Sequence, residues 1–206
     1  MIARVDEHRA DRERTRAFFA SRAAGWEQRW HDDGPVYQAA VDALGLGPGE
    51  RALDAGCGTG RALPMLRAAV GRAGTVVGVD LTPEMLATAV EHGRLADAAL
   101  VMADVARLPL ADGTVDAVLA AGLLPHMADP AAGLRELARV TRPGARLALF
   151  HPVGRAVLAA RHGHEVHDED LLSEPTLVPL LRATGWAPGT VDDAAERYLA
   201  TATRAP

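Results

Sequence analysis

Apolar positions along the chain switch between two periods, and the switches predict an alternation of helices and strands. Over residues 6–30, Phe18, Phe19, Ala23, Trp26 and Trp30 recur at offsets near three, four and seven. That is the stripe of one amphipathic helix, with the charged run from Asp11 to Arg16 as its solvated start. Gly34-Pro35 breaks it, and residues 36–44 predict a second helix, ended by Gly45 and the turn Gly47-Pro48-Gly49. Beyond the turn, short apolar or β-branched runs predict strands at 51–54, 75–80, 98–103, 115–121 and 145–150. Helices are predicted between them at 61–70, 83–95 and 130–141, with Thr82 and Asp129 as N-caps. Strands separated by helical crossovers imply a parallel sheet. The tail differs: a helix at 174–184 ends at Gly185, and the runs 189–192 and 197–203 lie too close together for a crossover. They are expected to pair antiparallel.

The first strand runs into Asp54-Ala55-Gly56-Cys57-Gly58-Thr59-Gly60, and twenty residues later the second strand ends in Asp80. Glycines at alternate positions let the backbone turn sharply and come close to a ligand, at a helix N-terminus that favours negative charge. A carboxylate ending the neighbouring strand can accept both hydroxyls of a ribose. The third glycine of a dinucleotide fingerprint is replaced by Arg61, which disfavours NAD.

Composition narrows the class. The 206 residues suit a single core that buries about two-thirds of the unfolded surface, and no run of about 18 apolar residues could span a bilayer. The charged N-terminus has no secretory apolar core, so the expected location is cytoplasmic. A net charge of −5 argues against a sequence-independent grip on nucleic acid. The expected partner is a small molecule, with neither nucleic acid nor membrane, and the chain is expected to be a monomer or homodimer. Cys57, the single cysteine, fits the glycine loop by its small size rather than by thiol chemistry.

The pattern D-x-G-x-G-x-G at 54–60 resembles the first motif of class I S-adenosylmethionine (SAM) dependent methyltransferases. Further blocks agree in order: Ala103-Asp104-Val105, Leu108-Pro109-Leu110-Ala111-Asp112, Val115-Asp116-Ala117-Val118, the segment Leu124 to Pro130, and Arg142-Pro143-Gly144-Ala145-Arg146-Leu147. The resemblance spans residues 50–150 and is nearest to the small-molecule, methyltransferase type 11-like subgroup that includes quinone-biosynthesis enzymes. It implies an α/β Rossmann-like fold: a seven-stranded, mostly parallel sheet with an antiparallel last strand and helices on both faces. It also implies a helical lid at residues 1–45 on a cofactor-binding core at 46–206.

For the cofactor SAM, released as S-adenosylhomocysteine, the resemblance implies that the loop of Gly56, Gly58 and Gly60 holds the methionine end. Asp80 holds the ribose and Asp104 the adenine amino group. Leu81 and Met85 face adenine from one side and Val105 from the other, and backbone at Ala121 contacts the amino-acid part. Asp54 either contacts the ligand or orients the loop.

Methyl transfer is an in-line displacement at an already activated carbon, so proximity and dryness do most of the work. A base is needed only to take a proton from an O, N or C acceptor, and histidine suits that task. His126 after strand four and His151 after strand five stand at the carboxyl ends of the sheet, and each is either such a base or a structural residue. His162, His164 and His167 invite a metal reading, but the spacing and Gly163 do not suit a helix-borne site, so no metal is expected. Trp26, Trp30 and Tyr37 are candidates to cover the cofactor and shape the acceptor site, whereas Phe18 and Phe19 are expected to pack on the sheet. The expected activity is methylation of a small molecule in specialised metabolism. The alternatives are a non-methylating SAM enzyme, such as a cyclase, or a SAM-binding module.

Overall fold

The computed structural model describes residues 2–29 and 33–206, with side chains from residue 9 to 28 and from 33 onward. Seven strands and the helices between them follow the order α1 (Ile2–Ala20), α2 (Trp26–Arg29), α3 (Gly34–Ala43), β1 (Arg51–Ala55), α4 (Leu63–Val70), β2 (Thr75–Asp80), α5 (Pro83–Glu91) and β3 (Ala99–Met102). They continue with β4 (Val115–Ala121), α6 (Pro130–Val140), β5 (Thr141–His151), α7 (Arg155–Arg161), α8 (Glu174–Ala183), β6 (Trp186–Ala194) and β7 (Arg197–Arg204).

The strands form one sheet in the order β3-β2-β1-β4-β5-β7-β6. β1 to β5 are mutually parallel, while β7 runs antiparallel to both β5 and β6. The tail pairing predicted from its short connection is therefore present between β6 and β7, with Ala194 opposite Arg197, and β7 also lies antiparallel to β5, with Phe150 opposite Leu199. Both faces of the sheet are covered, as the near-continuous apolar strands require. On one face Leu134 and Leu137 of α6 and Leu177 and Leu181 of α8 pack with Leu53, Val118 and Trp186. On the other, Ala40 and Val41 of α3 and Leu63 and Leu66 of α4 pack with Ala52, Leu119 and Phe150.

Several predicted boundaries move. The single helix expected over 6–30 is two: α1 stops at Ala20, a 3₁₀ turn fills Ala23–Gly25, and α2 starts at Trp26. The Arg22 guanidinium donates to the Phe18 carbonyl at 2.8 Å, taking an acceptor that a continuing helix would have used. α4 begins at Leu63 rather than residue 61, because the glycine turn runs on through Ala62. α5 ends at Glu91, and Gly93, with a positive φ, diverts the chain into a short 3₁₀ turn. β5 extends from Thr141 to His151, beyond the predicted 145–150. α7 was not predicted, and it has no buried residue to print an apolar stripe on the sequence. Of the two proposed caps, Asp129 accepts from the Ala132 N–H at 2.9 Å, whereas the Thr82 side chain caps nothing.

Among the described residues no helix is long and apolar enough to cross a membrane. Leu119 is fully buried in β4, the middle strand of the sheet. Leu119→Ala is expected to cost about 2–5 kcal/mol of unfolding free energy through lost transfer energy and a residual cavity, measurable by urea titration.

Candidate functional site

Strand order reverses between β1 and β4, and an open α/β sheet accepts ligands in the crevice outside the carboxyl ends at such a point. A cavity of about 260 Å³ lies there. Its floor is the glycine loop. Gly56 and Cys57 both donate their N–H groups to the Val79 carbonyl, at 2.8 and 2.9 Å, which presses the turn against the end of β2. Gly56 has φ +72°, and a Cβ there would stand 2.9 Å from Leu123 Cδ1, so only glycine suits both the conformation and the space.

Asp80 ties the loop down. Its Oδ2 accepts from the Gly58 N–H at 2.8 Å and its Oδ1 from the Thr82 N–H at 2.7 Å. A carboxylate has about four acceptor positions, so each oxygen retains capacity for a further donor. Burial still holds the pKa of Asp80 above the ordinary carboxylate range, against the pull of these bonds.

Asp54, at the end of β1, is buried, and its Oδ1 has no hydrogen-bond partner among the described residues. Burial, with added repulsion from Asp80, pushes its pKa up to about 7. Asp104 uses Oδ1 to accept from the Ala106 N–H at 2.9 Å, while Oδ2 is 3.0 Å from the Arg12 guanidinium of α1. Leu81, Met85, Val105 and Ala121 also line the cavity. The Cys57 thiol is buried and its pKa is driven up by desolvation, the wrong direction for a nucleophile.

Aromatic rings line the cavity as well. Phe19 meets Trp26 edge-on, with centroids 5.6 Å apart, and His126 at 4.9 Å. Tyr37 lies against Phe150 at 4.9 Å, with the Arg61 guanidinium 5.2 Å above its ring, and burial raises its pKa. His126 and His151 both face the cavity, and burial lowers both pKa values, so both imidazoles are neutral at pH 7. His151 Nδ1 is 2.9 Å from the Val153 carbonyl. The Val153 N–H lies 3.2 Å from the same nitrogen, so Nδ1 is engaged by Val153 as either donor or acceptor.

The structure thus brings together in one cavity wall Asp54, Gly56, Gly58, Asp80, Leu81, Met85, Asp104, Val105, Ala121, Trp26, Tyr37, His126 and His151. Gly60 shapes the turn behind that wall, with φ +77°. Trp30 lies outside the described residues. His162, His164 and His167 are exposed beyond α7.

Phe18 and Phe19 do not pack on the sheet as expected. Phe18 is half exposed, stacked 6.3 Å from His126, and Phe19 forms cavity wall. The reason is the end of α1 at Ala20, which leaves the helix lying across the crevice. Sequence reasoning also missed Arg12 and Thr15, which line the cavity from the same helix. Positions 12, 15 and 19 are spaced as one helical face, a pattern hidden by reading only apolar residues.

The residues fit an adenosine cofactor that carries positive charge. Three carboxylates line the cavity, the Asp54 Oδ1 is buried without a partner among the described residues, and at Gly56 the loop has no room for a side chain. The family model for a methyltransferase domain matches residues 53–149. These residues form a class I SAM-dependent methyltransferase domain. The chain is 43% identical over 110 residues to a demethylmenaquinone methyltransferase of Beutenbergia cavernae, covering 53% of this chain and 44% of that protein. It is 32% identical over 157 residues to the O-methyltransferase cnsE of Penicillium expansum, covering 72% of this chain and 56% of that protein. A SAM-dependent methyltransferase structure from Aquifex aeolicus superimposes with a TM-score of 0.71 at 26% identity, over 90% of this chain and 98% of that one. The chain spans about half the length of these curated relatives.

A raised pKa at Asp54 means that the native domain holds a proton there which the unfolded chain has released above pH 4. Its stabilising effect is present at low pH and is lost as pH climbs towards 7. Asp54→Asn has no such loss. The melting temperature of the variant minus that of the native domain is therefore expected to grow between pH 5 and 7 and to level off above pH 8, by differential scanning fluorimetry.

Proposed function

We propose that this chain transfers a methyl group from SAM to a small, uncharged acceptor that loses a proton on methylation, and that a hydroxyl is the acceptor group it suits best. The observation that carries this reading is one cavity whose wall holds Asp54, Asp80 and Asp104 together with two neutral histidines and the rings of Phe19, Trp26 and Tyr37. SAM supplies a methyl group on a sulfonium centre, which departs as uncharged S-adenosylhomocysteine.

The chain's own contributions follow from charge and position. Asp80 holds the ribose hydroxyls, Asp104 the adenine amino group, and Leu81, Met85 and Val105 the adenine faces. The 56–60 loop, with backbone at Ala121, holds the methionine end, and the Asp54 carboxylate complements positive charge in the cavity. Trp26 and Tyr37 enclose the acceptor and exclude water, which strengthens every polar interaction inside. His126 or His151 takes the acceptor's proton onto a ring nitrogen, a task suited to an imidazole that is neutral at working pH. Arg12 and Arg61 both stand next to carboxylates, so an anionic acceptor would find no unmatched cation in them. The N-terminal part of the expected 1–45 lid, α1 and α2, acts as a lid on the core, a reading supported by the contacts of α1 with Asp104 and His126, whereas α3 packs on the sheet and belongs with the core at 46–206.

Asp80→Ala is expected to weaken SAM binding about 10- to 100-fold by calorimetry, the size of losing one or two hydrogen bonds to a charged acceptor. For catalysis, methyl-labelled SAM is incubated with a panel of hydroxylated aromatics, amines and acidic carbon compounds. Labelled product with stoichiometric S-adenosylhomocysteine supports transfer, whereas SAM binding without either favours a non-methylating enzyme or a binding module. With an accepted substrate, His126→Gln or His151→Gln should lower the rate about 10²- to 10⁴-fold while SAM affinity stays native, and unchanged rates in both variants dismiss the base.

A further inference from the structure

The imidazole of His126 is held from outside its own loop. It belongs to a short 3₁₀ turn, Leu124–His126, after β4, and no backbone regularity fixes such a ring. Two side chains of α1 do so instead. The Phe19 ring meets the imidazole edge-on at 4.9 Å and 84°, and Phe18 lies nearly parallel to it at 6.3 Å and 25°. The two phenylalanines brace each other at 5.1 Å. One turn back along the helix, the Thr15 hydroxyl donates to the His126 carbonyl at 3.3 Å.

We propose that Phe19 is a positioning residue for His126, the α1 rings and the Thr15 hydroxyl together fixing ring and backbone so that the imidazole is aimed into the cavity only while α1 lies across it. This rests on the reading of His126 as a proton acceptor, and it adds a helix distant in sequence to the proton-transfer apparatus. The same helix also pairs with Asp104 through Arg12, so one element touches both the proposed adenine carboxylate and the proposed base. An aromatic pair of this kind fixes orientation by its preferred edge-to-face geometry rather than by charge. A ring held edge-on to an imidazole also removes water from it, in keeping with its depressed pKa. His151 at the end of β5 also lowers the pKa of His126, and Arg12 on α1, matched to Asp104, and Asp129, which caps α6, line the same cavity.

The test is histidine NMR on the full chain without acceptor. The His126 Cε1–H resonance is assigned by its absence in His126→Gln and titrated in the native protein, Phe19→Leu, Phe19→Tyr and Thr15→Val. In the native protein the resonance should carry a ring-current displacement and titrate below the ordinary value of about 6.5. Phe19→Leu should lose the displacement and raise the pKa towards that value, Phe19→Tyr should keep both, and Thr15→Val should show a smaller change of the same sign. Leucine keeps the apolar bulk of the site, and unperturbed amide dispersion elsewhere identifies a folded variant. If Phe19→Leu does not fold, Thr15→Val carries the test alone. His126 signals that are the same in the native protein and in every folded α1 variant would overturn the proposal. Failure of the base reading is seen separately, as a native transfer rate in His126→Gln, and that result also removes any catalytic meaning from the α1 contacts.

Discussion

A carboxylate buried at the end of a parallel strand is costly unless it is bonded, and Asp80 meets that requirement by accepting N–H groups from the glycine loop and from the turn that begins α5. Those two bonds knit three elements at one point. Because Gly56 and Cys57 also donate to the neighbouring Val79 carbonyl, the loop conformation follows from the β1–β2 register, which sets Leu53 beside Val77 and Ala55 beside Val79. The loop, the crevice above it and the direction in which α4 leaves all depend on this arrangement. Burial still raises the pKa of Asp80 and, with repulsion from Asp80, pushes that of Asp54 up to about 7. A positively charged ligand would oppose both effects.

Arg61 stands where a dinucleotide-binding loop would have its third glycine, and the tertiary structure gives it a different task. Its guanidinium bonds to Asp33 and stands 4.0 Å from Glu27, while the Thr59 hydroxyl donates to Glu27 at 2.6 Å. The residues before the core are thereby joined to the cofactor loop by largely buried polar groups, where removing one partner costs far more than an exposed pair would. With the Arg12–Asp104 pair and the Thr15 hydroxyl, this anchors the N-terminal segment at three places around the crevice.

The legible parts of the chain are those where one period dominates. β2 and β4 were predicted at Thr75–Asp80 and Val115–Ala121, their observed bounds, because strands buried on both faces are apolar throughout and end in turn residues. The antiparallel pairing of β6 with β7 was legible from the length of the connection between them. The N-terminal reading failed because a stripe from Phe18 to Trp26 keeps its spacing whether or not the backbone stays helical, and the interruption comes from the Arg22 side chain reaching Phe18. α7 escaped because an exposed helix without a buried stripe leaves no periodic mark. Asp54, Asp80 and the loop glycines could be read as a group because they are near one another along the chain or at a fixed strand offset.

What the amino-acid order determined by itself is local: where strands and helices lie in the core, which turns demand glycine, and that a carboxylate ends the second strand. These follow from side-chain period and backbone sterics, which act over a few residues. Only the tertiary structure decided that Arg12, Thr15 and Phe19 face a cavity, that two histidines from different strand ends share it, and that Asp54 is left deeply buried. Those facts depend on strand order and on where α1 comes to rest, long-range packing choices with no period of their own to write into the sequence.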